Sequence, residues 1–391
     1  MRDWADAVPE GLLVAHEWLD RCLAKLCEVE GSDLHIKVGA PPRIRVNGTL
    51  YELEGEERVG PDASAEMAAS IMRPDIAESF RRELEADCAY SLPGLGRFRV
   101  NIYHQRGTVA IALRRVMPDP ATIAELGLPE VVARLAEEER GLVLCTGPTG
   151  SGKTTTLAAM IEHINRTRAC HVITIEDPVE ILHRDKMASI EQREIGIDTR
   201  DFASALRAAM RQDPDVILVG EMRDLETVQA ALTAAETGHL VLSTLHTTDA
   251  TESIHRIIDF YPPYQQKQAR LSLSASLRGT IGQRLIKTID GQHRVAAAEI
   301  MVPNGRIQQC ITDPEHTDGI KQIIEEGDYY GMQTFDQSIS SLFEAGAIGL
   351  KDALMAASNP HDLRVTLQNR GLIPTVGVAD TGVEPPSVGA A

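Results

Sequence analysis

The run Gly147-Pro148-Thr149-Gly150-Ser151-Gly152-Lys153-Thr154 spaces three glycines, a lysine and a hydroxyl in the pattern G-x-x-x-x-G-K-[ST]. Glycine lets the backbone turn tightly enough for amide N–H groups to point inward at phosphate oxygens. Lys153 supplies a point charge for β- and γ-phosphates, and the Thr154 hydroxyl is of the type that ligates Mg²⁺. Leu142 to Cys145 reads as a short buried strand entering the loop, and Thr155 to Ile164 as a helix leaving it, its N-terminus toward the phosphates. Gly147 to Thr155 is therefore the candidate binding segment for a nucleoside triphosphate.

A hydrolase acting on a γ-phosphate needs one carboxylate to hold Mg²⁺ and a second to orient the attacking water. Glu176 ends the apolar run 172–175, and Glu221 follows the apolar run 216–219. Ligands gather at the carboxyl ends of strands in open parallel sheets, so Glu221 suits the metal role and Glu176 the water role. The alternative is that both acids cap the helices that follow. Asp215 stands at the start of its strand and reads as structural. His246, at the end of the run 240–245, could sense a γ-phosphate or simply pack, and His239, at its start, reads more readily as structural. Arg97 and Arg99 are two apart on one expected strand and so share a face, with Arg106, Arg114 and Arg115 nearby. They are either a solvated basic strand or fingers that reach a phosphate across a domain or subunit interface.

The elements that must position these groups fall into two domains. A helix over about 11–27 leads to strands at 35–38 and 43–46, the latter running into the hairpin signal Asn47-Gly48. Helices near 63–72 and 76–84 and strands at 96–102 and 109–114 complete a small α+β domain over 1–116. Met117-Pro118-Asp119-Pro120 reads as a linker. From there the strands 142–145, 172–175, 216–219 and 240–245 alternate with helical patterns, the mark of a parallel α/β sheet. Helices are expected from about Gln265 to Arg370, ending a second domain over 117–372, and 373–391 reads as a disordered tail. No internal repeat is visible.

At 391 residues the chain exceeds one ordinary core. A net charge of −18 argues against binding nucleic acid over the whole surface. The first residues lack a signal peptide's order and no apolar run reaches the length of a spanning helix, so a cytoplasmic protein is expected. The six cysteines show no C-x-x-C pair and read as buried thiols in a reducing compartment.

Four segments in order, GPTGSGKTTTLA, ITIEDPVE, DVILVGEMRD and TGHLVLSTLHTTDA, resemble the secretion-superfamily ATPases of type IV pili, in particular the PilT-type retraction (twitching-motility) family. GSDLH at 31–35, GRFRVNIYHQRG at 96–107 and GMQTFDQSI at 331–339 extend the resemblance from about residue 10 to 370. In that family the four segments are the Walker A, Asp box, Walker B and His box. The resemblance implies a PAS-like N-terminal domain joined to a RecA-like P-loop ATPase domain, a homo-hexamer using ATP and Mg²⁺, and an inner-membrane pilus platform protein as partner. A paralogous retraction ATPase is a second possible partner, and the protein would sit at the inner face of the cytoplasmic membrane. Glu176 would be the catalytic glutamate, Glu221 the Walker B acid, His239 and His246 the His-box residues, and Arg97, Arg99 or Arg114 the nucleotide-reaching arginines. The extra N-terminal domain and tetracysteine site of the assembly and type II secretion relatives are not visible, which favours the retraction branch. The segment 306–313 departs from the retraction family's AIRNLIRE run, as it does in some PilU-type paralogues. An assembly-type ATPase and a nucleic-acid translocase remain the alternatives.

Overall fold

The computed structural model describes residues 10–46, 48–118 and 120–374. The chain divides into two compact units, one of 1–120 with 179–184, the other of 121–178 with 185–391. The segment 375–391, which includes most of the expected tail, lies outside the described residues, as does Asn47.

In the first unit α1 (Glu10–Glu28) precedes β1 (Asp33–Lys37), β2 (Arg43–Val46) and β3 (Thr49–Glu52). Next come α2 (Pro61–Ile71) and α3 (Pro74–Glu83), each with proline in the first turn, where its missing N–H costs nothing. β4 (Glu85–Leu92), β5 (Gly96–Gln105) and β6 (Thr108–Arg115) complete an antiparallel sheet of order β3-β2-β1-β6-β5-β4. Gly48, at φ +81°, makes the turn between β2 and β3. Leu34, Ile36, Phe98, Val100, Ile102, Ile111 and Leu113 face the helices from one side of the sheet. β4 was not expected. Glu85, Asp87 and Ala89 have low strand propensity, and pairing with β5 at the sheet's edge is what makes them a strand. The expected linker also changes character: β7 (Met117–Pro118) pairs in parallel with β10 (Ile181–Leu182), a contact too distant in sequence for local signals to reveal.

The second unit is built on a seven-stranded sheet. Its members are β8 (Gly141–Thr146), β9 (His171–Glu176), β11 (Ser189–Glu194), β12 (Val216–Val219), β13 (Leu240–Leu245), β14 (Leu277–Lys287) and β15 (Arg294–Met301). The order is β11-β9-β12-β13-β8-β14-β15, all parallel except the last pair. Both faces are covered, so the central strands are apolar on both sides. Leu142 and Leu144 of β8 face one layer, Val143 and Cys145 the other. The first layer contains α6 (Phe202–Ala209), α7 (Leu225–Glu236), α8 (Ala250–Asp259), α9 (Pro263–Ser276), α10 (Gly305–Thr312) and α11 (Ile320–Glu325). The second contains α4 (Val131–Ala136) and α5 (Lys153–Thr167). α12 (Phe335–Glu344), α13 (Leu350–Ala356) and α14 (Pro360–Asn369) pack with Ile286 and Ala297 in a separate cluster.

The expectation of helices from Gln265 onward is corrected by β14 and β15. α9 passes into β14 at Leu277 with no glycine or proline between them, so the change of period is the only signal of the boundary. No helix among the described residues is long and apolar enough to cross a membrane.

Candidate functional site

The loop 147–152 joins β8 to α5 at the carboxyl edge of the parallel sheet. Gly147, Gly150 and Gly152 have φ of +142°, +78° and +93°, a region that L side chains rarely adopt. Space forbids a side chain too: a Cβ on Gly147 would lie 2.5 Å from the Gln283 carbonyl oxygen and 2.6 Å from Ser151 Oγ. The Ser151 hydroxyl is buried and has no hydrogen-bond partner among the described residues. Lys153 is 9% exposed, and its Nζ donates to the carbonyls of Gly147 at 2.7 Å and Pro148 at 3.0 Å. Burial pushes the Lys153 ammonium below its ordinary value, against the pull of Cys145 and Glu221. Pro148, Thr149, Gly150, Thr154 and Thr155 are exposed. A glycine-walled loop, a desolvated ammonium turned into it, an unpartnered buried hydroxyl and the N-terminus of a 15-residue helix fit a phosphate chain.

Strand order sets what stands beside this loop. β13 is the neighbour of β8, followed by β12 and then β9. With strands about 4.8 Å apart, β9 stands roughly 14 Å from β8. Glu221, two residues beyond β12, is 13% exposed and lies between two bases. Arg223 pairs with its Oε1, and His246 Nε2, just past β13, is 3.2 Å from its Oε2. Glu176 is the last residue of β9, where its Oε1 accepts from Thr174 Oγ1 at 2.6 Å and Gln192 Nε2 at 3.0 Å. One edge of the sheet thus gathers the loop, Glu221, His246 and Glu176. A carboxylate and a hydroxyl, Glu221 and Thr154, are hard oxygen donors of the kind Mg²⁺ takes.

The structure does not bring His239 to this edge. It precedes β13 at the opposite end, about 20 Å away along six residues of strand, where its Nδ1 lies 3.0 Å from the Ala234 carbonyl. Asp215 is a structural acceptor, bonded to the His171 N–H at 2.8 Å. The arginines belong to the first unit. Arg99 and Arg114 are cross-strand partners. Arg114 Nε donates to Asp33 Oδ1 at 2.8 Å, and Arg99 lies 3.6 Å from Glu180. Burial works against the Asp33 carboxylate, yet bonds from Ser32 and Arg114 outweigh it and hold the group below its usual range. Thr174 and Arg223 lie inside two of the quoted segments but were not singled out, and Gln192 and Gln283 lie in none of them; the strand register and contacts are what reveal all four.

This fold and loop define a P-loop nucleotide-binding protein. The family model for type II/IV secretion system proteins matches residues 17–336, and the chain belongs to that family. It is 44% identical to the type IV pilus retraction ATPase PilT of Pseudomonas aeruginosa, over 85% of this chain and 95% of that protein. It is 38% identical to the type IV pilus ATPase PilU of the same organism, over 89% and 91%. A crystal structure of the pilus retraction motor PilT with bound ADP superposes with a TM-score of 0.80 at 43% identity, covering 88% of this chain and 98% of that one.

Proposed function

We propose that this chain is an ATP-hydrolysing motor that drives retraction of type IV pili. It works as a homo-hexamer in the cytoplasm, at the inner face of the membrane, on a pilus platform protein, and a paralogous retraction ATPase is a further candidate partner. A PAS-like domain over 1–116 precedes a RecA-like ATPase domain over 117–372 in this reading. The observation that carries it is the gathering of the phosphate loop, the Glu221–His246 pair and Glu176 at one sheet edge. That edge belongs to a chain that spans 95% of a retraction ATPase at 44% identity.

Each group has a stated task. Lys153 exchanges the Gly147 and Pro148 carbonyls for phosphate oxygens, so the ammonium is desolvated before the nucleotide arrives. Glu176, oriented by Thr174 and Gln192, holds and deprotonates the attacking water. Thr154 and Glu221 would hold Mg²⁺, which neutralises charge on the β- and γ-oxygens when bound. His246 links the γ-phosphate position to the strand end through Glu221. Arg97, Arg99 and Arg114 reach nucleotide across an interface.

The test is Mg²⁺-dependent phosphate release by the purified chain with ATP. Glu176→Gln should keep ATP binding and lose about 10²- to 10⁴-fold in turnover, the usual worth of a positioned base. Turnover equal to wild type would remove Glu176 from the chemistry.

A further inference from the structure

β14 runs past the start of the phosphate loop, and one of its side chains is turned into the loop's underside. Gln283 is 3% exposed. Its Oε1 accepts from Thr156 Oγ1 of α5 at 2.8 Å and from Cys145 Sγ of β8 at 3.8 Å. Its Nε2 faces the loop, since a Cβ on Gly152 would lie 2.9 Å from it. Its own carbonyl oxygen blocks a Cβ at Gly147. One residue therefore touches the strand before the loop, both flanking glycines of the loop and the helix after it.

The strand is fixed from its other face. Successive side chains of a strand point to opposite sides, and Gly282 and Arg284 lie against α12. A Cβ on Gly282 would be 3.0 Å from the Phe335 ring. The Arg284 guanidinium stacks 3.9 Å over that ring and donates to the Ala356 carbonyl at 2.6 Å. With the backbone clamped on one side, the Gln283 amide on the other has little freedom to follow a loop that moves.

We propose that Gln283 is a positioning residue for nucleotide binding: it holds the phosphate loop open and presents an N–H donor on the side of Gly152. The proposal rests on the nucleotide reading of the loop. It explains why Gly147 and Gly152 have no room for a side chain, and why Thr156, buried inside α5, carries a hydroxyl.

The test compares Gln283→Leu, Gln283→Glu, Thr156→Val and the Thr156→Val/Gln283→Leu double variant in the full chain. The readouts are Kd for a fluorescent ATP analogue and Tm without nucleotide. Gln283→Leu should raise Kd about tenfold, the scale of one buried hydrogen bond with its orphaned partner. Gln283→Glu keeps the shape and the acceptor for Thr156 but sets a negative charge beside the phosphates, so it should raise Kd more than leucine does. A merely structural role gives the reverse order, because glutamate is the closer replacement. Thr156→Val should weaken binding too, and the double variant should be no weaker than Gln283→Leu alone, since both remove the same contact. Glutamate binding as tightly as wild type, or additive effects in the double variant, would overturn the inference. If Gln283→Leu fails to fold, the ranking of Gln283→Glu and Thr156→Val against wild type decides it. Wild-type protein that binds no nucleotide would instead refute the reading of the loop itself.

Discussion

Glu299 is a carboxyl group placed where its charge is disfavoured. It lies on β15, 5% exposed, and its Oε1 accepts from the Ala250 N–H at 2.8 Å, the first residue of α8. Burial is the main cause that pushes it from an ordinary 4.5 up to about 7. The Ala250 bond lowers it, the nearby Asp249 carboxylate raises it, and Arg284 and Lys321 lower it slightly. The folded-state value lies above the unfolded one, so protonation stabilises the fold. That stability is fully present below about pH 4.5 and is lost as pH rises through about 7. At 1.36 kcal/mol per unit, the displacement is worth about 3 kcal/mol. Glu299→Gln keeps an acceptor for Ala250 and cannot ionise. At pH 8 the variant should melt above wild type by roughly 6–12 °C, given about 2–4 °C per kcal/mol for a unit of this size. Near pH 5 the two should come within a degree or two. Differential scanning fluorimetry across pH 5 to 8 reads the difference directly, following the transition of the second unit. A constant offset between the two proteins at all pH values would refute the reasoning, because it would show that Glu299 does not titrate in this window.

Lys153→Ala should abolish turnover and weaken ATP binding at least tenfold, since it removes the charge turned into the loop; near-normal turnover would place the working site elsewhere. Glu221→Gln should shift the Mg²⁺ concentration needed for half-maximal turnover upward; an unchanged Mg²⁺ titration would leave Glu221 only its pairing with Arg223 and His246. An Arg99→Ala or Arg114→Ala protein mixed with Glu176→Gln under subunit exchange should recover part of the activity that each lacks alone. Fingers are worth about 10³–10⁵ in rate, so even a few restored interfaces are visible, and no recovery despite exchange would refute fingers acting between subunits.

The central strands were legible because parallel strands covered on both faces are near-continuous apolar runs, and β8, β9, β12 and β13 read that way. The phosphate loop was legible because glycines, a lysine and a hydroxyl at that spacing seldom fall by chance between an apolar strand run and a helical pattern. β11 and β14 were not. β11, SIEQRE, is a polar edge strand defined by its pairing with β9, and β14 mixes Gly282, Gln283 and Arg284 into its apolar pattern. Gln283 becomes recognisable only when that strand lies beside β8. His239 read as structural from its place at the start of the strand, and only the family resemblance set it beside His246; in the structure the extended strand separates the two by its full length.

The central claim is that hydrolysis at this loop powers pilus retraction. The most direct measurement is made in the host, with the gene deleted and then complemented by wild type or Glu176→Gln, counting surface pili and scoring twitching on the same cells. Many pili without motility in the deletion, restored motility with wild type and none with Glu176→Gln are predicted. Pili absent from the deletion would make the chain an assembly motor, and motility restored by Glu176→Gln would contradict the account.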